Sequence, residues 1–93
     1  MTFQELYNII LRRKQEMPDM SYIASLFREG SDRIVQKIGE EATEVVIEAK
    51  NNNKQRVIEE ISDLLFHTLI LMVDKKITLI DIQREFSKRS PKK

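Results

Sequence analysis

The chain contains no cysteine. Disulfides and thiolate metal sites are therefore excluded, and a reducing compartment fits. Glycine and proline are scarce, two of each. With so few breakers and no alternating β-type pattern, the chain reads as a helical bundle. It lacks a long apolar run. The longest, Leu64 to Val73, contains His67 and Thr68 and is too short to span a bilayer. The start, Met1 to Leu6, lacks the basic-then-apolar layout of a signal peptide. It also lacks an excess of one charge. The net charge of +1 gives no attraction for nucleic acid or a membrane surface. A soluble, cytoplasmic protein is expected.

Its 93 residues allow one domain. A chain of this size buries only about 60–65% of the surface that its unfolded form exposes, so a lone monomer is marginal. Self-association, to a homodimer or higher homo-oligomer, is expected to complete the core.

The chain reads as four to five helices. Thr2 with Glu5 is a capping box, followed by Phe3, Leu6, Tyr7, Ile10 and Leu11 at helical spacing. Pro18 ends that helix. Ser21 can cap a short helix through Phe27, with Gly30 as its stop. Ser31 or Asp32 is expected to cap a helix running to about Lys50. Asn51-Asn52-Asn53 is a turn. A further helix covers about Lys54 to Lys75. Thr78 with Asp81 starts a last helix ending near Lys88, and Ser90 to Lys93 is expected to fray.

The acidic residues set the chemistry. On a helical wheel Ile34, Val35, Ile38, Ala42, Val45, Val46 and Ala49 form an apolar face. Lys37, Glu40, Glu41, Glu44 and Glu48 form a stripe beside it. Solvated stripes normally mix signs. Here Glu40 and Glu44, Glu41 and Glu44, and Glu44 and Glu48 are like-charge neighbours, each pair costing about 0.2–0.5 kcal/mol in an isolated helix. A bound cation would relieve that repulsion. The next helix is apolar nearly all round, from Val57 to Val73, which predicts burial on most sides. Glu60, Asp63 and His67 nevertheless share one of its faces. Buried carboxylates are costly unless paired or metal-bound. Two readings follow: a cation site between the helices, or a salt bridge to a lysine or arginine.

Carboxylate oxygens are hard ligands, so Mg²⁺ is the natural ion, with Mn²⁺ as the alternative. No EF-hand loop points to calcium. Asp63 and His67 lack the Glu-x-x-His spacing of di-iron bundles. His67 is either a hydrogen-bonded core histidine or a residue that orients a ligand carboxylate. Mg²⁺ held by a few carboxylates commonly shares substrate phosphates, which points to phosphoanhydride chemistry.

The pattern E-E-x-x-E at Glu40-Glu41 and Glu44, then E-x-x-D at Glu60 and Asp63, resembles the all-α, MazG-like nucleotide pyrophosphatases. Ser21-Tyr22, the string Lys37 to Val46, and Asp63-Leu64-Leu65-Phe66-His67 narrow the resemblance to the phosphoribosyl-ATP pyrophosphatase family, over roughly residues 2 to 88. Ile23 departs from the threonine common there. The resemblance implies hydrolysis of phosphoribosyl-ATP to phosphoribosyl-AMP and pyrophosphate in histidine biosynthesis, by a stand-alone helical dimer. On this reading Glu41, Glu44, Glu60 and Asp63 are catalytic and hold Mg²⁺, with Glu40 as a further ligand. Lys37 contacts a phosphate or pairs with Glu41. Ser21 and Tyr22 enter as substrate contacts only through the resemblance; by themselves they read as a cap and a packed ring. Arg28, Arg33, Lys50, Lys54 and Arg56 are further candidates for a phosphate contact, each read more readily as surface than as site. A related house-cleaning nucleoside triphosphate pyrophosphatase and a non-catalytic helical dimerisation module remain as alternatives.

Overall fold

A computed structural model of the chain describes residues 1–90. Those residues form five helices and no strand: α1 Phe3–Glu16, α2 Tyr22–Glu29, α3 Ser31–Lys50, α4 Lys54–Asp74 and α5 Leu79–Arg89. Of the tail expected to fray, Ser90 caps the last helix with its amide donating to the Phe86 carbonyl at 2.8 Å, and 91–93 lie outside the described residues. None of the helices is long and apolar enough to cross a membrane.

Local sequence accounts for most boundaries. Thr2 and Glu5 form the expected capping box. Helix α1 ends at Met17, in the left-handed region, and Arg28 of α2 donates to the freed carbonyls of Met17 and Pro18 at 3.0 and 3.1 Å. Ser21 caps α2 by accepting from the Ala24 amide. Gly30 has φ 101°, a region costly to a residue with a Cβ, and joins α2 to α3 in one residue. The expected cap of α3 is corrected here. Ser31 is already helical, and its hydroxyl donates to Asp74 at 2.6 Å instead. Gly30 takes the N-cap position, so Ser31 lies one residue inside the helix. Asp32 lies in the first turn, and no side chain caps the α3 N-terminus. Asn53 caps α4 by accepting from the Arg56 amide.

Helices α3 and α4 form a long antiparallel hairpin, and α1 and α2 pack across one end of it. The core lies there. Ile10, Leu26, Ile34 and Ile70 are fully buried, joined by Tyr7, Leu69, Met72 and Val73. Burying each such aliphatic side chain contributes about 1.5–3 kcal/mol. The Tyr7 hydroxyl donates to the Ile77 carbonyl, tying the chain after α4 to α1.

Two expectations about burial need correcting. Of the apolar face expected on α3, only Ile34 is buried; Val35, Val46 and Ala49 are exposed. On α4 the all-round burial fails at Ile58, Ile61 and Leu65, which are 47%, 41% and 42% exposed. The reason is geometric: α1 and α2 are too short to cover the whole hairpin.

Helix α5 starts with the expected Thr78–Asp81 capping box and buries no residue. Its local bonds therefore carry much of its order. Thr78→Ala is expected to cost α5 about 1 kcal/mol, read as loss of helical Cα chemical shifts over 79–89. Hydrogen bonds from the Thr78 main chain, then its side chain, hold the Asp81 carboxyl below its ordinary value. Because the folded value lies below the unfolded one, this contribution is present above the ordinary carboxylate range. It is lost as pH falls through the depressed value, so α5 should loosen first on acidification.

Candidate active site

The antiparallel hairpin sets the acidic stripe of α3 against the polar face of α4. One carboxylate oxygen each from Glu41, Glu60 and Asp63 lie within 4.8 Å of one another. Glu60 is buried, Glu41 partly buried and Asp63 exposed, so the group has a closed back and an open front. Helical spacing explains it: Glu60 and Asp63 are neighbours at i and i+3.

The other acidic residues predicted from sequence stand apart from this group. Glu40 pairs with Lys37 at 3.2 Å and Arg33 at 3.6 Å. Glu44 follows Glu41 by three residues, exposed and without an ion-pair partner among the described residues. Glu48 lies 3.9 Å from Arg56.

Two cations flank the carboxylates. Lys37 lies 3.3 Å from Glu41. Burial works to lower its pKa, but hydrogen bonds to Glu40 and Glu41 outweigh that, and the net direction is upward. Arg56 donates to Glu60 at 3.0 Å and to Glu59 at 2.6 Å. Arg56 is exposed, as its surface reading expects, and it also reaches the acidic group. Its spacing of three and four residues before Glu59 and Glu60 was the available signal. Burial pushes the Glu60 carboxyl up; Arg56 opposes this, and the negative charges of Asp63 and Glu41 add to it.

His67 is buried on the same face of α4. It bonds the main-chain carbonyl of Asp63 and the Tyr22 hydroxyl, not a carboxylate. Tyr22 stacks on Phe66, with ring centroids 6.3 Å apart. Burial raises the Tyr22 pKa, against the nearby positive charges of Lys37 and Arg33. Ser21 has its hydroxyl engaged as the α2 cap, and its hydrogen bonds do not reach the acidic group.

Three converging carboxylates, one buried among like charges and one open to solvent, suit a divalent cation shared with an anionic ligand. Fold and site together define an all-α protein with three carboxylates converging between two antiparallel helices. The model of the family described as phosphoribosyl-ATP pyrophosphohydrolase matches residues 3–90. The chain is 53% identical to the phosphoribosyl-ATP pyrophosphatase of Leptospira biflexa, over 91% of this chain and 92% of that one. It is 47% identical to the phosphoribosyl-ATP pyrophosphatase of Clostridium novyi, over 96% of this chain and 81% of that one. The histidine biosynthesis bifunctional protein HisIE of Thermotoga maritima is 42% identical, over 91% of this chain and 43% of that protein. The chain belongs to the phosphoribosyl-ATP pyrophosphohydrolase family.

Proposed function

We propose that this chain hydrolyses phosphoribosyl-ATP to phosphoribosyl-AMP and pyrophosphate, a step of histidine biosynthesis, with Mg²⁺ in the acidic site. The observation that carries the reading is the convergence of Glu41, Glu60 and Asp63 from two helices in a member of this family. Glu41, Glu60 and Asp63 would hold the ion, with Glu44, three residues after Glu41 on α3, as a further ligand. Glu40 stays with Lys37 and Arg33 at the edge. Bound there, Mg²⁺ supplies positive charge that offsets charge on the triphosphate and on the departing pyrophosphate; Mn²⁺ fits the same hard donors.

The chain's own residues do the rest. The positive charge of Arg56 opposes the desolvation that favours the neutral acid at the buried Glu60. Lys37 sits against Glu41 and Glu40 at the open front. Lys37 would offer its ammonium to a phosphate oxygen as a point charge. Tyr22 lies near enough to feel the charges of Lys37, Arg33 and Glu41.

The working unit is a single domain acting as a homodimer. The exposed apolar stripe of α4 and the small core support a second copy as its cover. A nucleotide substrate and a cysteine-free chain favour the cytoplasm.

The test is pyrophosphate release from phosphoribosyl-ATP with Mg²⁺ and with excess chelator, beside ATP, dCTP and dUTP. Release from phosphoribosyl-ATP alone, lost on chelation, is expected. Release chiefly from ordinary or deoxy triphosphates would move the protein to house-cleaning chemistry. A folded protein that releases none would leave a non-catalytic dimerisation module.

A further inference from the structure

His67 is 4% exposed, and both of its ring nitrogens are engaged. Its Nδ1 lies 2.7 Å from the Asp63 carbonyl oxygen. A carbonyl oxygen can only accept, so Nδ1 carries the proton. In the neutral ring Nε2 is then an acceptor, and the Tyr22 hydroxyl, 2.7 Å away, must donate to it. The Tyr22 proton is therefore spent inside the protein. What its oxygen has left for the site is lone pairs.

The ring of Tyr22 is held as firmly as its hydroxyl. It stacks on Phe66 and stands edge-on to His67, and Phe66 also meets His67 edge-on. Yet Tyr22 is 49% exposed. Two neighbouring rings and two hydrogen bonds thus fix a half-open tyrosine near Lys37, with its anchor on the main chain of Asp63. An acceptor oxygen has nothing to offer a phosphate, which is itself an acceptor. It suits a ligand group that carries a hydrogen, a ribose hydroxyl or an exocyclic amine.

Resting on the functional reading above, we infer that His67 is a positioning residue acting through Tyr22. By taking the hydroxyl proton, it presents Tyr22 as a fixed acceptor for a donor group of the nucleotide. Tyr22 is thereby a specificity contact rather than a phosphate ligand.

The experiment is a double-mutant cycle on pyrophosphate release, using wild type, Tyr22→Phe, His67→Asn and the double variant. Asparagine can keep the donor that His67 Nδ1 offers Asp63 and removes the acceptor at Nε2. Each single change is expected to raise KM for phosphoribosyl-ATP about tenfold, the order of one hydrogen bond held in geometry, with a smaller effect on kcat. The double variant should be no worse than the worse single one, because both changes break the same device. His67→Gln, whose amide oxygen reaches toward Tyr22, should recover part of the loss. Mn²⁺ binding measured by calorimetry on the nucleotide-free protein should stay within twofold in every variant.

Additive losses, an effect confined to kcat, or a shifted Mn²⁺ affinity would overturn the inference. If His67→Asn fails to fold, Tyr22→Phe decides alone: an unchanged KM overturns it. Activity of the wild type on another nucleotide would defeat only the functional reading, and the cycle would be run on that nucleotide. A wild type active on none defeats both.

Discussion

Glu60→Gln and Asp63→Asn are each expected to lower Mg²⁺-dependent pyrophosphate release by about 10²–10³-fold or more, the scale seen when one preorganised electrostatic contact is removed. Helical content should not change, because both substitutions keep side-chain size. Glu60 makes the sharper test. Its carboxylate is buried among Asp63 and Glu41, and burial and these charges push its pKa up against the pull of Arg56. Glutamine removes the like charge and leaves Arg56 its bonds to Glu59 and Glu48. The metal-free variant should therefore be at least as stable as the metal-free wild type. Saturating Mg²⁺ tells the two apart. A ligand at a hundred times its dissociation constant stabilises a fold by about 2.7 kcal/mol, so the wild type should gain several degrees in thermal midpoint and the variant little. Lost activity with retained stability marks a site whose charges serve a ligand. Full activity in either variant would sink the assignment.

Ile61→Lys carries the second large effect, on assembly. Ile58, Ile61 and Leu65 lie on one face of α4 at helical spacing, and each is more than two-fifths exposed. Val46 and Ile47 add exposed apolar surface on α3, and Ile82 and Phe86 on α5. If the chain worked alone, a lysine at so exposed a position would change stability by no more than about 0.5 kcal/mol. Buried against a second copy, Ile61 contributes about 1.5–3 kcal/mol in each protomer, and a lysine there adds an unpaired charge. Wild type is expected to sediment as a dimer at micromolar concentration, with a thermal midpoint that rises with protein concentration. The variant should sediment as a monomer and lose that dependence. A wild type that is monomeric at high concentration would refute the dimer.

Much of this protein is decided by neighbours within one or two turns, and that part was legible. The capping boxes at Thr2 and Thr78, the Ser21 cap, the stop at Gly30 and the asparagine turn all appear where local chemistry puts them. The exception is instructive. Ser31 has a capping side chain, but its hydroxyl serves Asp74, 43 residues away. Among the acidic residues, the face shared by Glu60 and Asp63 was legible for the same local reason.

Neighbours along the chain therefore settle the set of helices, the grouping of carboxylates on one face of each, and the family to which they point. Only the tertiary structure decided which carboxylates meet across the hairpin. It brought Glu41 to Glu60 and Asp63, and left Glu40 with Lys37 and Arg33. It also decided that His67 holds Tyr22, 45 residues away, rather than a carboxylate. It decided, too, that α4 is covered along only part of its length. These outcomes depend on the register of α3 against α4 and on how far α1 and α2 reach, and side-chain spacing along one helix carries no record of either.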